Sequence, residues 1–234
     1  MNISSTEFVT KIKNKEHLPA GLVVTEGVRL YNCTSLTHLP ENLEVHGYLY
    51  LYNCKNLKSL PESLEVHGNL DLGYCENLKS LPDNLEVHEH MSLRNCTNLT
   101  YLPENLKVHG NLNLSLCKNL THLPDNIEVN GYLGLTGCTS LTELPDNIEV
   151  NGDLDLGGCT SLKSLPENLE VNGKLFLYKC TSLKSLPYNI RVEGYIYCEK
   201  KLIDTIPKED LPLYINFKFK DSIHEHLTQR IRNS

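Results

Sequence analysis

Leu39 to Ser59 reads LPENLEVHGYLYLYNCKNLKS, and Leu60 to Ser80 reads LPESLEVHGNLDLGYCENLKS. The period is 21 residues, and it holds without insertion or deletion from Leu18 to Ser185, giving eight copies. A ninth, degenerate copy opens at Leu186 and reaches Ile206–Pro207 after 20 residues. Counted from the first Leu, the pattern is L-P-x-N-L-x-V-x-G-x-L-x-L-x-x-C-x-x-L-x-x. A strict period without gaps means identical units stacked in one direction, each touching only its neighbours.

The apolar positions of a copy are 1, 5, 7, 11, 13 and 19, with Cys at 16. Positions 11 and 13 alternate with variable residues, as in Leu49 and Leu51 among Tyr48, Tyr50 and Tyr52. That is the period of a half-buried strand. Positions 5 and 7 (Leu43, Val45) suggest a second short extended piece. No helical period fits, and Pro at position 2 lacks the N–H a helix or ladder needs. Gly at position 9 suggests a corner with unusual backbone angles, and L-P-[DE]-N resembles a type I turn with Pro second. One copy cannot fold alone. Six buried apolar side chains contribute roughly 1.5–3 kcal/mol each, while ordering each residue costs roughly 1.5 kcal/mol. Stacking must supply the difference, and the open ends need caps.

The segment Leu49-Tyr-Leu51-Tyr-Asn-Cys54-Lys-Asn-Leu57-Lys-Ser-Leu60-Pro61 resembles a leucine-rich repeat, with Cys54 where such repeats carry Asn or Cys. The recurrent Leu-Pro is similar to the LPX-type repeats of secreted bacterial effectors, the IpaH, SspH and YopM group. This chain differs from that group in its 21-residue period and in Cys instead of Asn at the turn. The resemblance implies a mainly β, right-handed leucine-rich repeat solenoid, with a concave parallel β-sheet, short extended convex segments and short helical caps. It also implies a protein secreted by a bacterium to act inside a host cell. Some members carry a C-terminal ubiquitin-ligase domain; the short remainder here implies no ligase activity. The expected organisation is an N-terminal capping helix at 1–17, the solenoid at 18–205 and a C-terminal cap at 206–234.

The chain has 234 residues, 40% apolar and 22% charged, with no Trp. No stretch approaches 18 apolar residues, which argues against a membrane protein. The net charge of -7 argues against a nucleic-acid binder, which needs a basic footprint. There are nine Cys, and Met1 to Thr10 lack a basic region followed by an apolar one. A disulfide framework is therefore not the first reading, and a reducing, intracellular compartment is expected.

At the N-terminus, residues 2–17 read as a short amphipathic helix with Ser4 and Glu7 as a capping box and Phe8 and Ile12 on one face. At the C-terminus, Leu213, Ile215, Phe217 and Phe219 alternate like a terminal strand, and Asp221 is placed to cap a last helix bearing Ile223, Leu227 and Ile231. Both ends read as hydrophobic plugs; docking a partner or a membrane is the alternative.

Eight cysteines share position 16, from Cys33 to Cys180, and should form one column. A straight column does not converge into a zinc site, so packing is the reading. Position 8 carries His46, His67, His88 and His109, then Asn130, Asn151 and Asn172. The change to Asn argues against a metal or pH role; shared hydrogen-bonding capacity suits a turn with needy backbone groups. No metal and no cofactor is expected. Acidic residues fill positions 3 and 6 in most copies and read as a solvated convex face.

The variable positions 10, 12, 14 and 15 should line the concave sheet, and nine of the 12 tyrosines fall on them. An N-terminal cluster holds Arg29, Tyr31, Tyr48, Tyr50, Tyr52 and Tyr74; a C-terminal one holds Lys174, Phe176, Tyr178, Tyr195 and Tyr197. Between them the positions are small and polar, with Arg94 the basic exception. Exposed Tyr gives large contact area at low entropy cost. Tyr ladders that merely stabilise the sheet are the alternative. No Ser-His-Asp set or phosphate loop appears, and Asp153 with Asp155 are commonplace exposed carboxylates. The expectation is a non-catalytic, monomeric module that binds a partner protein, with glycan or small-ligand binding as the alternative.

Overall fold

A computed structural model of the chain describes residues 1–146, 148–214 and 217–233. Each coil gives two short strands, at positions 6–7 and 11–12, such as Glu44–Val45 and Leu49–Tyr50. Among the described residues these strands build two parallel sheets, one of ten strands and one of nine. Asn2–Ile3 supplies the tenth strand by pairing with Val23–Val24. Partners lie one period apart: Val45 faces Val66, and Leu49 faces Leu70. The protein is a mainly β solenoid, and the short convex pieces form a sheet of their own.

The two ladders run in opposite senses. In the nine-stranded sheet each coil donates to the next, Val28 N–H to the Tyr48 carbonyl and Leu30 N–H to that of Tyr50, at 2.7 and 2.8 Å. In the ten-stranded sheet each coil donates to the one before, Glu44 N–H to the Leu22 carbonyl at 2.9 Å. The apolar positions fill the space between the sheets: Leu39, Leu43, Val45, Leu49, Leu51, Cys54 and Leu57 of one coil are all buried.

Two local expectations need correction. Gly at position 9 makes no unusual backbone angle; where the column is glycine, with Glu26 and Glu89 its exceptions, successive coils touch. A Cβ on Gly68 would lie 2.9 Å from the Gly47 carbonyl carbon, and one on Gly152 2.6 Å from that of Gly131. The left-handed corner is at position 15 instead, where Asn32, Asn53, Tyr74, Asn95, Leu116, Gly137, Gly158 and Lys179 all have φ between 56 and 75°. The Pro turn is also shifted by one residue. The Pro61 carbonyl accepts from Leu64 N–H at 3.2 Å, so Pro is first in the turn.

The cysteine column joins coils. Cys54 Sγ donates to the Leu30 carbonyl at 2.9 Å, and Cys75, Cys96, Cys117, Cys138, Cys159 and Cys180 repeat the bond at 3.1–3.2 Å. The acceptor at position 13 is used twice: the Leu51 carbonyl takes Cys54 N–H at 3.1 Å and Cys75 Sγ at 3.2 Å. Both lone pairs of a buried oxygen are thus occupied. Cys198 takes the position of a core Leu in the last coil and is buried. All nine thiols are free.

At the N-terminal end helix α1 (Ser5–Lys13) starts at Ser4, whose side chain accepts from Glu7 N–H at 3.2 Å. Its Phe8 is fully buried, and Ile12 packs on the core. The C-terminal end departs from expectation. Helix α2 (Lys200–Asp204) replaces the end of the ninth coil, and Leu211–Tyr214 form a 3-10 turn rather than a strand. Leu213 is exposed; Tyr214 is buried, and its hydroxyl donates to the Leu186 carbonyl, which folds this segment inward. Ile215 lies outside the described residues. Among the described residues of this segment only Phe219 pairs as a strand would, in a single bridge with Ile196. Asp221 is the first residue of helix α3 (Asp221–Arg232) rather than its cap. Ile223 and Leu227 are buried by this helix, and Ile231 is partly so. Arg230 ties α3 to α2 by donating to the carbonyls of Ile203 and Ile206. Among the described residues no helix is long and apolar enough to cross a membrane.

Burial pushes the thiols up, to about 11 for Cys54 and Cys180 and about 12 for Cys75, Cys117, Cys159 and Cys198. Cys96 and Cys138 move in the same direction for the same reason. An unfolded thiol ionises near pH 8.5. The folded chain therefore holds more protons above that pH, and stability falls as pH rises. The contribution is whole below about pH 8.5 and gone above the folded values. Eight such groups give a slope on the order of 10 kcal/mol per pH unit. We predict that Tm is level between pH 7 and 8 and drops by about 20 °C or more between pH 8.5 and 10. Thermal unfolding by circular dichroism measures this, and a level Tm to pH 10 would refute the protonated thiol column.

Candidate functional site

The outward positions of the nine-stranded sheet divide into two kinds. The first kind serves the backbone. At position 10, Asn69 Oδ1 accepts from His90 N–H, His90 Nδ1 from Asn111 N–H, Asn111 Oδ1 from Tyr132 N–H and Asp153 Oδ1 from Lys174 N–H, at 2.7–3.0 Å. Each side chain caps the same position of the next coil. At position 12, Asp71, Asn113 and Asp155 accept from the N–H two residues on, at 2.8–3.0 Å. The polar middle of the face is therefore structural. Asp153 and Asp155 are both engaged in this way, with carboxylates committed to backbone donors.

The second kind is aromatic. At the N-terminal end Tyr48 and Tyr50 stack with centroids 4.4 Å apart, and Tyr31 stacks on Tyr50 at 6.3 Å. The Arg29 guanidinium lies 4.2 Å from the Tyr48 centroid, a cation–π contact of roughly 0.5–1 kcal/mol at an exposed site. Tyr52 meets Tyr74 at 5.1 Å. At the C-terminal end Phe176 stacks on Tyr197 at 4.7 Å, and Tyr178 and Tyr195 meet the same ring at 6.2 and 6.4 Å. None of these side chains is buried. Tyr31, Tyr52, Tyr178 and Tyr195 are 47%, 38%, 43% and 48% exposed. Arg94 and Lys174 are exposed too, and among the described residues neither lies over a ring.

Tyr31, Tyr52, Tyr74 and Tyr178 do not sit on strands as expected but in the turn that follows them, and Tyr74 takes the left-handed corner with φ 61°. That conformation costs a bulky residue roughly 1–2 kcal/mol, which Asn or Gly largely avoids. Five other coils use Asn or Gly there. The ring at this corner serves the surface rather than the turn. Tyr132 stands apart from both clusters. It lies over Gly134, where a Cβ would come within 2.5 Å of its ring. Partial burial, above all, pushes its hydroxyl up.

The position-8 column behaves differently from the turn-bonding role expected of it. Its partners are side chains. His46 Nε2 and His67 Nε2 lie 2.8 and 3.1 Å from Glu44 Oε1, and His109 Nε2 lies 2.7 Å from Glu86 Oε1. His67, His88 and His109 stack nearly parallel, 5.3 and 5.6 Å apart. Hydrogen bonds from His46 and then His67 hold the Glu44 carboxyl below its usual range, and His109 does the same for Glu86. Where Asn replaces His, the amides bond to one another, Asn151 to Asn130 at 3.3 Å and Asn172 to Asn151 at 2.9 Å. Carboxylates two residues before His46, His67 and His88 were the signal in the sequence that could have found this; His109, with Lys107 in that place, reaches back to the Glu86 of the coil before.

Fold and face together define a capped, two-sheet parallel solenoid of 21-residue coils, bearing an aromatic group near each end of one sheet. No protein-family model matches the chain, and comparison with curated proteins returns no match.

Tyr48 also lies over Gly27. A Cβ there would fall 2.3–2.6 Å from three of its ring atoms. Gly27→Ala is expected to push the ring off both Arg29 and Tyr50 while leaving the coil intact. The near-ultraviolet circular dichroism of tyrosine should weaken with the far-ultraviolet spectrum unchanged; an unchanged near-ultraviolet spectrum would contradict this packing.

Proposed function

We propose that this chain is a non-catalytic, monomeric interaction module that binds a partner protein through the aromatic groups of the nine-stranded sheet. One observation carries the reading. Asn69, Asp71, Asn111, Asn113, Asp153 and Asp155 accept from backbone donors, whereas among the described residues the rings of the two groups accept from none and lie outside the core. Rings that neither fill the interior nor cap the chain are free to meet a partner. They are also pre-stacked, so little side-chain entropy is lost on docking. Arg29 and Lys174 add a basic rim at each end, and Arg94 adds one between, on a chain that is acidic overall.

The leucine-rich identity of the coils, and their LPX-like Leu-Pro, support a further part of the proposal. The module acts as a secreted bacterial effector, and its partner is a host protein. Nine free thiols suit a reducing compartment of that kind. The charge of -7 supports a reading without nucleic acid. Sugar stacking is the weaker reading, because Tyr48, Tyr50, Phe176 and Tyr197 already spend ring faces on each other.

The test uses the most exposed rings. Tyr31→Ala with Tyr52→Ala, and Tyr178→Ala with Tyr195→Ala, should keep the far-ultraviolet spectrum and Tm. Each pair should weaken capture of a host-cell partner about 30-fold, the effect of losing roughly 2 kcal/mol at a binding hot spot. Equal capture by wild type and both double variants removes the reading, and binding on a glycan array in its place transfers the face to carbohydrate.

A further inference from the structure

We propose that the position-8 column of the ten-stranded sheet holds two divalent transition-metal ions. One lies between Glu44, His46 and His67, and the other between Glu86, His88 and His109. In each trio the ligand atoms all lie within 4.8 Å of one another.

The repeat itself builds these sites. Positions 6 and 8 are two apart on an extended chain, so their side chains leave on the same side. The next coil repeats them about 4.8 Å away. A carboxylate at position 6 therefore meets the imidazole of its own coil and that of the following one. In the first trio both contacts are made by Nε2, at 2.8 and 3.1 Å from the same carboxylate oxygen. Tetrahedral zinc with bonds near 2.0 Å needs ligand spacings of roughly 3.3 Å. Two sides of the triangle are near that size before any ion arrives, and the third is within 4.8 Å. Two imidazoles and one carboxylate are a donor set that zinc accepts, with water for the remaining position. Both histidines are exposed, so entry is open. Glu44 and Glu86 lie two coils apart, about 10 Å, which separates the two ions. The buried thiols do not compete, because burial keeps them protonated.

Asn130, Asn151 and Asn172 show what the same position does without imidazole: an amide ladder in the same fold. They also supply the substitution for the test. The untagged chain is stripped with a chelator and titrated with Zn2+ against a competing colorimetric indicator. Two ions per chain are expected. His67→Asn and His109→Asn should each remove one, and the double variant both, with far-ultraviolet circular dichroism unchanged. Fewer than two ions on the unaltered chain, or two retained by either single variant, overturns the proposal.

Discussion

The solenoid depends on backbone hydrogen bonds between adjacent coils, whose facing residues are one period apart. A two-residue strand is worthless alone; it closes no ladder and buries nothing. Among the described residues, ten of them on one side and nine on the other, paired at a constant offset, bond each coil to its neighbours. The offset admits no error. One inserted residue would turn every later leucine of a coil outward, because side chains alternate along an extended chain. That is why the period is kept without a gap from Leu18 to Ser185. The opposite sense of the two ladders adds a second constraint, since a coil is held from both sides by each neighbour.

In-register stacking places like on like, which helps some side chains and harms others. Leucines and valines gain a continuous core. Cysteine gains a regular acceptor one coil back, at a carbonyl that would otherwise have a spare lone pair in an apolar interior. Glutamates lose: Glu128, Glu149 and Glu170 are direct ladder partners. Like charges so placed repel. The chain answers this locally. Lys107 stands between Glu86 and Glu128, Arg191 pairs with Glu170 at 2.9 Å, and histidines sit against Glu44 and Glu86. Surface ion pairs of this kind are worth at most about 1 kcal/mol each, so they relieve repulsion rather than hold the fold.

The sequence carried the architecture because periodicity is a statement about geometry. Leu49, Leu51 and Cys54 could be put inside, and Tyr48, Tyr50 and Tyr52 outside, from alternation and repetition alone. What it hid were contacts between coils. Gly68 and Gly152 read as corners, because a lone glycine signals a special angle, while the reason was a neighbour's backbone pressed against them. The true corner at position 15 was masked by Tyr74, Leu116 and Lys179, although Asn32, Asn53 and Asn95 with Gly137 and Gly158 held the signal. Asn69, Asn111 and Asp153 read only as variable polar positions until their backbone partners were seen. The C-terminal strand misled because Leu213 falls in a 3-10 turn anchored by Tyr214 and faces solvent, while Phe217 and Phe219 beyond the turn pack inward. There the repeat had ended, and with it the rule that made the rest readable.

The two aromatic groups are set in a stack with a fixed rise, which makes the solenoid a ruler. Tyr50 and Phe176 occupy the same position six coils apart, or about 29 Å. A globular domain of about 100 residues, with a radius of gyration near 13 Å, is wide enough to reach from one to the other. Gain or loss of a whole coil between them would change that span in steps of about 5 Å, with the chemistry of both ends untouched. Duplication of a single unit is thus a way to retune the distance between the two aromatic groups, independently of the residues that form each.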